Sequence, residues 1–171
     1  MINYDLNLIK AFVFDVDGVL SSTKLFIFKH GELLRTASVR DGYAIQLAIK
    51  KGFKVGIITG GFSTDVMDRY KKLGVKYLYE CSNPKMNDYL HFLKKTRLQD
   101  HQVMYCGDDM PDYQVMRIVG LPVAPADAAP EIKKIAKYIS PINGGEGVAR
   151  DIIEQTLKIQ GLWMDDDAFN W

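Results

Sequence analysis

"FVFDVDGVL", residues 12–20, decides the fold. Phe12, Val13, Phe14 and Val16 make an apolar run of strand-forming residues, as in a strand buried on both faces. Asp15 and Asp17 stand near its end, just before Gly18. Residues i and i+2 of a strand point to one face with Cα atoms ~6.5 Å apart. Two carboxylates so placed repel each other, and each resists desolvation unless a positive charge compensates it.

Outward from this stretch, strands alternate with helices. "LFIFKHGELLRTASV" (25–39) holds two β-rich runs around Lys29, His30, Gly31 and Glu32, which reads as a hairpin. Asp41 reads as the N-cap of a helix "GYAIQLAIKKG" (42–52), with Ile45, Ala48 and Ile49 as its apolar stripe and Gly52 as its stop. Strand "KVGIIT" (54–59), a helix over 64–73 and strand "KYLYEC" (76–81) follow. Pro84 fits the first turn of a helix that runs to Thr96. Strand "QVMYCG" (102–107), a helix after Pro111, strand "LPVA" (121–124), a helix after Ala129, strand "KYIS" (137–140) and helix "VARDIIEQTLKIQG" (148–161) complete the pattern. The expectation is an α/β, Rossmann-like doubly wound, mostly parallel sheet, with a β-hairpin insertion after the first strand. One domain covers residues 1–162, and residues 163–171 form a tail made aromatic by Trp163, Phe169 and Trp171.

The chain of 171 residues suits one α/β core and is short for two. A formal net charge of +1 argues against nucleic acid or an anionic membrane as the main partner. No apolar run approaches the ~20 residues that span a bilayer, and the N-terminus lacks a basic leader segment. Cys81 and Cys106 are the only cysteines and lack metal-ligand spacing, so they read as reduced thiols of a cytoplasmic protein.

In a doubly wound sheet, ligands bind at the carboxyl ends of the strands. Chemistry-bearing residues fall there four times: Asp15 and Asp17; Thr59, Gly60 and Gly61; Lys85; and Gly107, Asp108 and Asp109. Clustered carboxylates are tolerable around a hard cation, and Mg²⁺ prefers oxygen ligands. The side chains of Asp15 and Asp108 and the backbone carbonyl of Asp17 form a plausible ligand set. Beside Mg²⁺ and Lys85, Asp15 should stay ionised and nucleophilic. Asp17 is then available to move a proton to the leaving oxygen and from the attacking water. Thr59 and the amides of Gly60 and Gly61 suit phosphoryl oxygens near a helix N-terminus. Asp109 and Asp112 fit either a helix start or a role in holding the metal loop.

"DVDGV", "ITGG", Lys85 and "GDDMPD" resemble, in order and spacing, the four motifs of the haloacid dehalogenase superfamily. That resemblance implies attack by the first aspartate to give an aspartyl-phosphate, which is hydrolysed with help from the aspartate two residues later. The intervals from Asp17 to Thr59 and from Thr59 to Lys85 leave no room for a cap domain. "DVDGVLS" with a hairpin behind it, "VRDGYAIQLA", "GIITGG", "LGVKYLY", "GDDMPD" and "NGGEGVARD" together resemble the capless 3-deoxy-D-manno-octulosonate 8-phosphate phosphatase family over nearly the whole chain. Asp151 departs from the glutamate usual at the end of the last motif. The resemblance implies a Mg²⁺-dependent phosphatase acting on a small phosphorylated sugar acid in lipopolysaccharide biosynthesis. It also implies a homotetramer, with the hairpin and the C-terminal tail of one subunit at a neighbouring active site. Arg69 and Lys72, three apart on the helix after "ITGG", are the candidate contacts to the substrate carboxylate.

Three other readings stand beside this one. A phospho-accepting receiver module places its acidic pair after the first strand and its phosphorylated aspartate after the third, which is the wrong order here. A non-catalytic regulatory or oligomerisation domain should have lost Asp15 or Asp17, and both are present. A phosphatase for a nine-carbon sugar acid or another small sugar phosphate would share every motif.

Overall fold

A computed structural model describes residues 2–31 and 33–170. The elements run β1 (Ala11–Phe14), β2 (Phe26–Ile27), β3 (Leu33–Leu34), α1 (Val39–Lys50), β4 (Lys54–Ile58), α2 (Thr64–Lys72) and β5 (Tyr77–Tyr79). They continue with α3 (Lys85–Thr96), β6 (Val103–Cys106), α4 (Tyr113–Met116), β7 (Leu121–Ala124), α5 (Pro130–Ile135), β8 (Tyr138–Ile139) and α6 (Val148–Ile159). Six strands form one sheet in the order β5-β4-β1-β6-β7-β8, and every neighbouring pair is parallel. β1 lies at the centre, with Phe12 opposite Val55 of β4 and Met104 of β6.

Both faces of β1 are covered, which explains its unbroken apolar sequence. Phe12 and Phe14 pack with Met104, Ile57 and the helices α1 and α6, through Ile45, Leu47, Ile152 and Ile153. Ala11 and Val13 point the other way, into a second layer with Tyr89 and Phe92 of α3, Val115 and Met116 of α4 and Ile132 of α5. The period-two alternation of a strand thus divides the core into two layers, one on each side of the sheet.

β2 and β3 form a separate antiparallel pair, with Phe26 opposite Leu34. The hairpin expected from sequence is present, although its strands are short and Glu32 of the expected turn lies outside the described residues. Besides this hairpin, the described residues of the interval before Thr59 form α1 and β4, and those of the next interval form α2 and β5, so among the described residues neither interval carries a cap.

Two local expectations need correction. Ser38, not Asp41, caps α1: the Ser38 hydroxyl accepts the Asp41 N–H at 3.2 Å. Asp41 is buried in the first turn, where its carboxylate accepts the Arg150 N–H of α6 at 2.6 Å. The residue before α6 is Gly147, which has no side chain to cap that helix, so a carboxylate from α1 serves instead. Burial raises Asp41 to about 6.

The second correction concerns the tail. Trp163 is only 9% exposed and belongs to the main core, so packing continues past residue 162. The Arg150 guanidinium lies 4.4 Å from the Trp163 ring and 5.3 Å from that of Tyr43. Lys51 pairs with Asp165 and Asp167, and Lys50 donates to the Asn170 carbonyl at 2.8 Å. Residues 163–170 are therefore fastened to α1 and α6 of their own subunit. Trp171, the last aromatic of the expected tail, lies outside the described residues.

Candidate active site

The carboxyl ends of β1, β4 and β6, and the start of α3, converge at one edge. Gly18 allows the turn after β1: its φ is +83°, and a Cβ there would stand 2.0 Å from the Asp108 carboxylate. Glycine at 18 therefore lets the β1 and β6 loops touch. From the other side, Gly144 backs onto the same turn, where a Cβ would meet the Gly18 carbonyl at 2.0 Å. The late glycine motif thus supports the first aspartate loop.

Asp15 and Lys85 are both buried and bonded at 2.7 Å. The second Asp15 oxygen accepts the Val16 N–H at 2.6 Å. Lys85 also binds Asp112 at 2.7 Å, and the buried Tyr105 hydroxyl donates to the same Asp112 oxygen at 2.7 Å. The other Asp112 oxygen accepts the Asp108 N–H at 3.1 Å. Asp112 thus ties the ammonium, β6 and the loop carrying Asp108 together. Asp109 is exposed and accepts the neighbouring Met110 N–H at 2.8 Å, so it shapes its own turn and does not face the cluster.

The charges in this cluster do not balance. Asp15, Asp108 and Asp112 offer oxygens within 4.8 Å of one another, against the single ammonium of Lys85. Burial, reinforced by Asp112, raises Asp15 to about 7 although Lys85 pulls the other way. Burial, with Asp15 and Asp112, raises Asp108 to about 8. Burial and Asp112 thus oppose ionisation of Asp15 and Lys85 offsets them only in part, so the ionised Asp15 expected beside Mg²⁺ and Lys85 calls on the cation as well as the lysine. Three carboxylates against one ammonium leave two negative charges, and all the donors are oxygens, so the site fits a hard divalent cation. The Asp17 side chain is not part of the cluster. Among the described residues, no main-chain N–H donates to the Asp17 carbonyl, which leaves that oxygen available.

Asp17 instead meets Arg35, which follows β3: Nε lies 2.7 Å from one carboxylate oxygen and Nη2 2.9 Å from the other. Thr59 is buried after β4, and its hydroxyl accepts the Gly61 N–H at 3.2 Å. That amide is therefore engaged within the loop, whereas Gly60 is exposed. Beside Asp17 opens a cleft of about 590 Å³ lined by Val16, Arg35, Phe62, Arg69 and Tyr70, among others. Arg69 donates to the Ser38 carbonyl at 3.3 Å, while its Nε is buried without a partner. Lys72 is exposed and lines an adjoining hollow, which shares Asp65 and Arg69 with the cleft. The structure thus brings Arg69 to the cleft and leaves Lys72 outside it.

Residues 83–152 match the family model of haloacid dehalogenase-like hydrolases. The chain is 39% identical over 153 residues to the 3-deoxy-D-manno-octulosonate 8-phosphate phosphatase KdsC of Escherichia coli K12, covering 90% of this chain and 81% of that protein. The chain belongs to this phosphatase family. The crystal structure of the Yersinia pestis phosphatase superposes with a TM-score of 0.88 at 38% identity, covering 91% of this chain and 84% of that one. The Moraxella catarrhalis phosphatase, solved with a magnesium ion, a phosphate ion and KDO, superposes with a TM-score of 0.88 at 30% identity, covering 96% and 92%.

Two residues that this structure brings to the site escaped the sequence reading. Arg35 lies in a hairpin whose alternation gives its inward position no distinct signature. Tyr105 had a usable signal, since a tyrosine in the middle of a central strand needs a buried hydrogen-bond partner.

Proposed function

We propose that this chain is a Mg²⁺-dependent phosphomonoesterase that hydrolyses 3-deoxy-D-manno-octulosonate 8-phosphate through an aspartyl-phosphate on Asp15. The observation that carries the reading is the buried Asp15–Lys85–Asp112 chain beside Asp108, with its surplus of two negative charges. Asp15, Asp108 and the Asp17 carbonyl would hold the cation, with Asp112 fixing the loop. Bound Mg²⁺ supplies charge neutralisation for the carboxylates and for the phosphoryl oxygens.

An Asp15 oxygen forms a bond to phosphorus as the bond from phosphorus to the leaving oxygen breaks. Asp17 gives that oxygen its proton. Water then attacks the phosphorus of the aspartyl-phosphate, returning a proton to Asp17 and releasing Asp15. Lys85 offsets the phosphoryl charge at the Asp15 side. The Thr59 hydroxyl and the Gly60 N–H receive the remaining phosphoryl oxygens, Gly61 shapes the loop that presents them, and Arg69 meets the substrate carboxylate from the cleft wall. Lys72 acts on the substrate only at longer range, from its neighbouring hollow.

Five exposed apolar residues on the hairpin, with Phe26 and Ile27 at 67% and 78%, support a homotetramer in which this surface covers a neighbouring site. The tail would contribute there only after leaving Lys51. Residues 1–162 carry every group assigned to catalysis, and the described residues after them pack onto that unit through Trp163. Among the described residues no helix is long and apolar enough to cross a membrane. We place the enzyme in the cytoplasm, in lipopolysaccharide biosynthesis, with no nucleic acid or membrane as its partner.

Phosphate release with Mg²⁺ from the octulosonate 8-phosphate, beside a nine-carbon sugar-acid phosphate and simple sugar phosphates, tests this reading. A clear preference in kcat/KM for the octulosonate is expected. A flat profile would remove the substrate, and no release from any of them would remove the phosphatase.

A further inference from the structure

We propose that Arg35 is a positioning residue for the Asp17 carboxylate, and that Gly61 is a glycine because Arg35 occupies the space above it. The inference rests on the phosphatase reading and adds a residue to it. The Arg35 side chain is only 6% exposed, although Leu33 and Leu34 just before it are 42% and 43% exposed. A hairpin that leaves its apolar residues in solvent thus delivers its arginine inward. There the guanidinium makes a fork to both Asp17 oxygens, at 2.7 and 2.9 Å.

Asp15, Lys85 and Asp112 restrain one another, and Asp17 takes no part in that network. Among the described residues the Arg35 fork is the only side-chain bonding that orients the Asp17 carboxylate. A planar guanidinium holding both oxygens fixes the plane of the carboxyl group as a single hydrogen bond cannot. The fork uses one lone-pair direction on each oxygen, and a protonated oxygen keeps acceptor capacity, so the same geometry can persist while Asp17 carries a proton.

Gly61 makes room for the pair. A Cβ at 61 would stand 3.0 Å from Arg35 Nη2 and 3.4 Å from an Asp17 oxygen. The glycine therefore matters even though its N–H is already taken by Thr59. The hairpin, the acid/base carboxylate and the Thr59 loop meet at this one contact.

The test uses the leaving group. When an alkyl phosphate is cleaved, the phosphorus–oxygen bond breaks as Asp15 bonds to phosphorus, and the alkoxide needs the proton that Asp17 gives. p-Nitrophenolate leaves without one. In Arg35→Gln, kcat/KM for the sugar phosphate should fall by at least about 10-fold, a part of the ~100-fold or more that a general acid contributes, since Arg35 positions the acid without replacing it. For p-nitrophenyl phosphate the loss in kcat/KM should stay within about threefold, because the step it reports, expulsion of nitrophenolate, does not draw on the acid; the later hydrolysis of the aspartyl-phosphate is common to both substrates and shows in kcat. Arg35→Lys, which keeps the charge and loses the fork, should recover part of the sugar-phosphate rate and guards against misfolding of the first variant. Gly61→Ala should show the same leaving-group selectivity in weaker form. Equal losses on both substrates would make Arg35 a structural or binding residue and overturn the inference. So would unchanged kinetics in both Arg35 variants while Asp17→Asn remains selectively impaired. A wild-type enzyme inactive on both substrates would remove the phosphatase reading itself.

Discussion

Asp15 and Asp17 stand two residues apart, yet their surroundings differ. Asp15 is 8% exposed and held by the interior through Lys85 at the start of α3, Asp112 in the turn before α4 and Tyr105 of β6, in a sheet packed on both faces. Asp17 is held from outside the sheet by an arginine on a hairpin with exposed apolar strands. The group assigned to attack phosphorus is thus fixed by the core, where small displacements are resisted. The group assigned to move protons is fixed by a hairpin that stands outside the main sheet.

The sharpest way to break this contrast is at Asp15. Asp15→Asn should cut turnover by at least about a thousandfold, in the range seen when a nucleophile is removed, with an unchanged circular dichroism spectrum. Lys85→Met attacks the same side through stability. It leaves Asp15 and Asp112 buried without their shared cation and should cost about 3–5 kcal/mol in urea denaturation. A loss below 1 kcal/mol, on the order of an exposed pair, would mean that the network does not hold the site. Trp163→Ala should cost about 3 kcal/mol, as expected for truncating a buried aromatic, while leaving kcat/KM for the sugar phosphate unchanged.

The surplus negative charge gives a pH signature. Asp15 and Asp108 are raised in the folded chain, to about 7 and about 8, well above the usual carboxylate range of about 4. Between these values the metal-free folded protein holds protons that the unfolded chain has lost. Its stability should therefore fall as pH rises from about 4 to about 8. Mg²⁺ at a hundredfold excess over its Kd should restore about 2.7 kcal/mol, most clearly at the upper end of that window. Thermal melts at several pH values, with and without Mg²⁺, check both the slope and its removal. On the hairpin side, Ile27→Lys should change subunit stability by less than about 0.5 kcal/mol, since the residue is exposed. If the hairpin is the interface, the same substitution should dissociate the assembly in sedimentation.

The core side of the comparison was far more legible in sequence than the hairpin side. Phe12 to Phe14 declare a strand buried on both faces, and Asp15, Asp108 and Asp112 follow from motifs fixed to the ends of such strands. Arg35 was not legible, because its partner lies 18 residues away across an irregular segment and hairpin alternation does not single it out. Asp41 misled for a related reason. Its position suits an N-cap, but the first free N–H groups it meets belong to α6, which only tertiary packing brings near. The tail has the same lesson: "WMDDDAFNW" has no periodicity, and its order comes from Lys51, Tyr43 and Arg150 on other helices.

The most direct test is to find the phosphoryl group in transit. The enzyme would be mixed with the octulosonate 8-phosphate and Mg²⁺, quenched in acid during turnover, digested and read by mass spectrometry. A single phosphoryl adduct on the peptide carrying Asp15, absent in Asp15→Asn, is the expected result. Turnover at full rate with no adduct on Asp15, or with the adduct on another residue, would contradict covalent catalysis at this aspartate.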